Sequence, residues 1–248
     1  MSCIFQSSIG KKLIMSVSGI LLVLFLLFHM SMNLVAAFSG EAYEAVCKFL
    51  GTNWYALAGT AVLALGFLIH IVYAFILTIQ NRKARGNDRY AVVDAPKGVE
   101  WSSQNMLVLG VIVLLGICMH LHQFWSHMMF AELAGQTFDG GEMGTILPHE
   151  GARFIAYYFS QPVVAVAYVV WVAALWFHLT HGFWSMLQTI GWSNDIWLSR
   201  WKTVAVWYAT IVCIGFALVI IGYAVGAFPL FHEAMPCGGA PCGGPCGM

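Results

Sequence analysis

Charged residues are scarce in this chain: they make up 9% of its 248 residues, and the formal net charge is zero. A soluble domain carries about 25% charged residues, so the shortage excludes a chain that folds mainly in water and leaves no room for a separate soluble domain. Alternating apolar and polar strands are lacking too, which argues against a transmembrane barrel. A neutral balance says nothing about partners, and nucleic acid is not among those expected. Cysteine is thinly used. Cys3, Cys47, Cys118 and Cys213 are scattered and read as small core residues, while three more fall in the tail MPCGGAPCGGPCGM. The tail spacing fits no zinc pattern, and its Gly and Pro content reads as an irregular extension without an assigned function.

Apolar residues are abundant, at 60%. Runs long enough to span a bilayer, about 20 residues each, lie at about 13–38, 54–80, 104–130, 157–190 and 203–228. The expected fold is an all-α membrane protein: one five-helix transmembrane bundle over residues 1–230, followed by the Cys/Gly/Pro-rich tail 231–248. With the N-terminus cytoplasmic, the inner segments hold Lys11, Lys12, Arg82, Lys83, Arg85, Arg89, Lys97, Arg200 and Lys202, against only Lys48 and Arg153 outside. The positive-inside rule therefore predicts N-in and C-out. The first run is too long for a signal core and reads as a retained helix. The basic loop Asn81–Glu100 reads equally as a topology anchor and as a docking surface for a soluble partner. The fifth run has no ionisable group at depth, and Gly215, Gly222 and Gly226 would let another helix approach closely.

The chemistry lies in the histidines. His178 sits in AALWFHLTHGFWSM with His181 one turn on, and an ionisable residue at membrane depth must find a partner. Three other runs carry one as well: His29 in FLLFHMSMN, His70 in GFLIHIVYA and His120 in MHLHQFWSHMMF. Counted from the inner helix ends, His29 and His120 lie about sixteen residues up, His70 about ten and His178 about eleven, a difference of about five residues or roughly 8 Å at 1.5 Å per residue. Two levels of paired imidazoles from different helices are what two stacked bis-histidine b-type haems require. Interhelical hydrogen bonds or a proton relay would account for one such residue more readily than for four at two matched levels. A histidine-relay transporter should show internal repeats or broken helices, and neither is evident. Zinc transport sites usually add Asp or Glu, and none lies at depth. On an α-helix His122 faces about 200° away from His120, toward a neighbouring helix. His127 falls two turns above His120 on the same face, within reach of the outer haem or a quinone. His181 lies near the inner haem's edge, and His149 and His232 read as solvated.

On these residues the chain resembles the di-haem, five-helix cytochrome b subunit of succinate dehydrogenases and fumarate reductases, the single-anchor type of bacteria that use menaquinone. The resemblance runs through nearly all five helices and rests on the order and spacing of His29 in FHMSMN, His70 in LIHIVYA, His120 in MHL and His178 in FHLTHGFWS. It implies that His70 and His178 ligate the inner haem iron and His29 and His120 the outer one, the same pairing that depth suggests. It implies haem-propionate contacts at Ser16 and Trp101; Lys11 and Lys12 are near enough to neutralise propionates. It implies a flavoprotein subunit with covalent FAD and an iron–sulfur subunit docked on the cytoplasmic face of a bacterial inner membrane, and a dimer of the whole complex is compatible with it. Succinate–fumarate chemistry would belong to the flavoprotein, so no catalytic residue is expected here. This chain's share would be moving electrons between the iron–sulfur clusters and menaquinone. A di-haem cytochrome b of a hydrogenase or formate dehydrogenase usually has four helices and another histidine layout. The chain departs from the pattern where some family members carry Glu two residues before the fourth ligand: Trp176 stands there, which puts that proton path in doubt. Glu44 is a candidate acid near the outer haem by position only, and otherwise a solvated loop carboxylate. The quinone site itself is not located by the sequence.

Overall fold

The computed structural model describes residues 7–85 and 100–228. Five stretches are helical, long and apolar enough to cross a membrane: Ser8–Ala37, Trp54–Ala84, Met106–Ala134, Pro162–Thr189 and Asp195–Ala224. This is the pattern of a multi-pass membrane protein, in which the helix satisfies each backbone group without water. In chain order the helices are α1 (Ser8–Leu34), α2 (Gly40–Thr52), α3 (Trp54–Arg85), α4 (Trp101–Gln104), α5 (Met106–His120), α6 (Ala131–Ala134), α7 (Gly151–Phe159), α8 (Pro162–Thr189) and α9 (Asp195–Ala224). Between α5 and α6 the backbone winds as a π-helix over Leu121–Phe130. The basic loop beyond Arg85, the Cys-rich tail with His232, and Cys3 lie outside the described residues.

Polar residues set the helix ends. Ser7 accepts from the Gly10 N–H at 2.9 Å, Ser39 from Ala42 at 3.2 Å, and Asn194 from Ile196 and Trp197 at 3.1 and 2.9 Å. Each side chain satisfies a donor that the first turn leaves open. Pro162 opens α8, where its missing N–H costs nothing. Gly191 (φ 85°) ends α8 and Gly226 (φ 67°) ends α9, with Trp192 N–H returning to Leu187 and Ala227 N–H to Gly222, the left-handed closure that glycine allows. Gly226 therefore serves a turn and not the close helix approach expected of it.

The segment 39–53, which separates the first two apolar runs, forms the amphipathic α2. The fourth run is broken at Ser160–Gln161, because Pro162 starts a new helix, so α7 lies apart from the span α8. Between α6 and α7 a two-stranded hairpin pairs β1 (Phe138–Asp139) with β2 (Thr145–Ile146), Phe138 opposite Ile146. Arg153 pins it to α7, donating to Glu150 Oε2 at 2.9 Å, to the Thr145 carbonyl at 3.1 Å and to the Met143 carbonyl.

Lipid is as apolar as leucine, so helices associate through close packing and a few polar ties. Gly66 of α3 receives Leu21 of α1, Gly116 of α5 receives Trp171 of α8, and Gly215 of α9 receives Met30 of α1; a Cβ at any of the three would collide with that side chain. Aromatic donors reach across to backbone carbonyls: Tyr208 OH to Val23, Tyr223 OH to Ala36 at 3.0 Å, and Trp171 Nε1 to Val113 at 3.1 Å. The two tyrosine ties make α9 run parallel to α1. α8 and α9 form the broadest interface, and α3 meets the bundle mainly through α1, turning most of its apolar surface outward. Cys213 is buried and Cys47 half-buried, but Cys118 is exposed, so it is not the core residue expected.

Candidate functional site

The four intramembrane histidines meet as two cross-helix pairs. His29 of α1 and His120 of α5 have ring centres 5.7 Å apart, with planes at 80°. His70 of α3 and His178 of α8 are 6.5 Å apart at 64°. These are the pairs that depth suggests. The first lies toward the hairpin end of the bundle. The second lies toward the end that carries Glu100 and Lys202, the lysine end.

The two levels are further apart than helix counting predicts. His70 lies beside Gly19 of α1 and His178 beside Gly110 of α5, each ring carbon 3.8 Å from where a Cβ would stand. From Gly19 to His29, and again from Gly110 to His120, is about ten residues, or roughly 15 Å at 1.5 Å per residue. The expectation of 8 Å fails because the ends of the apolar runs are poor marks of depth: α1 starts at Ser8, about five residues before its run, which sets His29 higher above the lysine end than counted.

Each pair has its own neighbours. Ser18 donates to the Met15 carbonyl at 3.0 Å, and its oxygen is 3.3 Å from His70 Nδ1, placed to accept a proton there and leave Nε2 free. Asn33 holds the other pair: its amide nitrogen is 3.3 Å from His29 Nδ1 and 3.5 Å from Nε2 and donates to the His29 carbonyl at 2.8 Å, while Tyr43 donates to Asn33 Oδ1 at 2.9 Å. His120 packs against Phe124, Tyr168 and Trp171. The Nδ1 atoms of His120 and His178 are buried without a partner among the described residues. A hydrogen bond to one ring nitrogen of a ligating histidine, such as that between Ser18 and His70, sets which nitrogen is free. Ser18, Asn33 and Tyr43 were all missed in the sequence. The antiparallel pairing of α1 with α3 selects Ser18 over Ser16, and it is a tertiary fact.

Other expected contacts are spread out. Ser16 is buried in α1. Trp101 is 59% exposed and stands edge-on to Phe177, ring centres 5.2 Å apart. The polar gathering at the lysine end forms instead around Glu100, which takes Lys202 at 2.8 Å and the Trp184 indole N–H at 3.2 Å, with His181 Nδ1 at 3.7 Å. Partial burial alone would raise the Glu100 carboxyl; the hydrogen bond and charge of Lys202, with Trp184 and His181, outweigh it and hold the group below the ordinary glutamate value. Trp176 donates to Thr210 of α9 at 3.0 Å. Glu44 lies on α2, raised by partial burial and by Glu150 and pulled back by His149 and Arg153.

His122 and His127 depart from α-helical expectation. π-Helical winding, with i→i+5 bonds, brings their rings to 5.8 Å of each other. His122 is exposed. His127 turns away from His120 into a cage of Phe138, Phe154 and Tyr158, with its Nδ1 3.1 Å from the Tyr158 hydroxyl and 3.0 Å from the Gln123 carbonyl.

An iron bonded at roughly 2 Å to one nitrogen of each of two opposed imidazoles holds the ring centres about 6 Å apart, close to both observed separations. Among the described residues no group of three or more His, Cys, Asp or Glu is placed to hold a metal ion. A protein zinc site needs three or four such ligands, whereas a haem brings four of its own and asks for two. Two imidazoles per site, unpartnered Nδ1 atoms and glycine beside His70 and His178 fit that group. The chain matches no protein-family model, no curated protein and no solved structure.

Proposed function

We propose that this chain is the haem-bearing, quinone-reactive membrane anchor of a succinate:menaquinone oxidoreductase or quinol:fumarate reductase in a bacterial inner membrane. The observation that carries the reading is the pair of cross-helix imidazole couples, 5.7 and 6.5 Å between ring centres, at two depths of one five-helix bundle. His70 and His178 would hold one haem b and His29 and His120 the other. When bound, each haem supplies a one-electron iron couple whose potential depends on axial ligation, burial and hydrogen bonding.

The chain's own residues orient and enclose. Ser18 and Asn33 steer His70 and His29, the glycines leave room beside His70 and His178, and the aromatic wall of Phe124, Tyr168 and Trp171 keeps water from His120. Trp184 and Lys202, gathered on Glu100, offer donors of the kind a propionate needs. An apolar groove between α5 and α8, lined by Ile112, Leu115, Met119, Val170 and Trp171 among others, gives a prenylated quinone an approach beside the hairpin-end pair. The flavoprotein and iron–sulfur subunits would dock at the lysine end.

The test is a dithionite-reduced-minus-oxidised spectrum of the purified chain with a pyridine haemochrome count per polypeptide. Two b haems titrating at separate potentials are expected. No haem in an intact preparation overturns the reading and returns the histidines to a transporter-type relay.

A further inference from the structure

Each ligand of the hairpin-end pair is followed, one helical turn along, by a side-chain carboxamide: Asn33 after His29, and Gln123 after His120. On the α1 side the group is assembled, with Tyr43 donating to Asn33 and Asn33 against the His29 ring. On the α5 side the same three kinds of group occur, and none is assembled. His120 Nδ1, Gln123 Oε1 and the Tyr168 hydroxyl are all buried without a hydrogen-bond partner among the described residues. Tyr168 is 3% exposed, and its ring stands edge-on to His120 with centres 6.3 Å apart.

Their capacities are complementary. A histidine bound to iron through Nε2 keeps its proton on Nδ1 and is a donor there; a tyrosine hydroxyl donates; a glutamine oxygen has two lone pairs and accepts both. Buried polar atoms are almost always paired, and Gln123 follows His120 by three residues along the same continuous helical stretch. The Gln123 main-chain carbonyl is already engaged by His127 Nδ1 at 3.0 Å, so His120 is left to the side chain.

We propose that Gln123 is the positioning residue of His120. The His120 Nδ1–H and the Tyr168 O–H both donate to Gln123 Oε1; on the other side of the hairpin-end pair Tyr43 likewise donates to Asn33 Oδ1, but there the amide nitrogen faces the His29 ring. The proposal rests on the reading of His120 as a haem ligand. An acceptor on Nδ1–H makes the imidazole a stronger donor to its metal, which favours ferric iron and lowers the potential. Among the described residues the lysine-end pair has no such carboxamide, only Ser18 on His70, so Gln123 tunes one haem alone.

The experiment is an optical redox titration of the holo-complex as wild type, Gln123→Leu, Gln123→Glu and Tyr168→Phe, following the component that survives His178→Ala. Gln123→Leu should raise that component's midpoint by about a tenfold change in its oxidised-to-reduced ratio, 59 mV for one electron, and leave the other unmoved. Gln123→Glu, which restores an acceptor, should return it to the wild-type value or below, and Tyr168→Phe should shift it in the same sense as Gln123→Leu but less. Loss of that haem in Gln123→Leu but not in Gln123→Glu also supports the assignment. Two haems with unmoved midpoints in Gln123→Leu overturn it, as do equal shifts of both haems or loss of the haem from both Gln123 variants. A wild-type chain without haem overturns the underlying reading and the relay with it, and the haem count tells the two failures apart.

Discussion

One added methyl group at Gly116 tests how this bundle is held together. The Cβ of Gly116→Ala would overlap Cδ1, Nε1 and Cγ of the Trp171 indole, a rigid ring and not the tip of a flexible chain. Trp171 must swing aside, and its 3.1 Å hydrogen bond to the Val113 carbonyl goes with it. Overpacking costs about 1–3 kcal/mol and the lost hydrogen bond about 1 kcal/mol. Alanine returns roughly 1 kcal/mol of helix propensity over glycine, so the net loss is about 1–3 kcal/mol. Gly59→Ala is the control, because nothing lies within 4 Å of its added carbon; it should be neutral or gain up to about 1 kcal/mol. The readout is the apparent midpoint of thermal unfolding in one detergent, with both variants run beside the wild type. Trp171 also stacks on His120, 5.8 Å between centres, so the hairpin-end site should suffer and the lysine-end site should not. Equal stability of Gly116→Ala and Gly59→Ala would refute the interlocked packing of α5 on α8.

Three further outcomes follow from the same geometry. His178→Ala should remove one haem and leave the other, counted by haemochrome; retention of both would sink the ligand assignment. Tyr208→Phe deletes the tie from α9 to the Val23 carbonyl and should cost about 0.6 kcal/mol, the usual value for such a bond within a membrane bundle; a denaturation series showing no change would mean the tie is not formed. Glu100 is held below its ordinary value of 4.5, so its contribution to stability is present above that pH and fades as the pH falls through the depressed folded value. Glu100→Gln should therefore be less stable than the wild type at pH 7, with the gap closing below pH 4.5; a gap independent of pH would contradict the Lys202 pairing.

How far the sequence could be read varied with the kind of residue. The spans were legible because charge is excluded from hydrocarbon at high cost, and the composition records that directly. The breaks were legible only in part: Pro162 stood in plain view, but the run through it was apolar enough to read as continuous. The histidine pairs were legible because antiparallel helices of known rise convert position into depth. Their spacing was not, since the ends of the apolar runs do not mark equal depths, and α1 starts at Ser8, about five residues before its run. His122 and His127 were placed wrongly because an α-helical angle was applied to a stretch that winds as a π-helix, a departure that nothing in HQFWSHMMF announces. Trp101 is an instructive case. The resemblance implied a haem-propionate contact for it; its side chain lies 59% exposed, while Trp184 reaches Glu100 from another helix.

The sequence by itself determined that this chain has five helical stretches long and apolar enough to cross a membrane and carries histidine on four of them, because hydrophobic length and residue identity are local properties. Only the tertiary structure decided which partner each imidazole meets at close range: Ser18 and not Ser16 beside His70, Asn33 and Tyr43 behind His29, and Tyr168 with Trp171 around His120. Those choices depend on the rotation of each helix about its own axis. Rotation in turn is set by where a glycine lets a neighbour in, as Gly66 admits Leu21, Gly116 admits Trp171 and Gly215 admits Met30. Close packing of that kind joins residues far apart in the chain, and no local pattern encodes it.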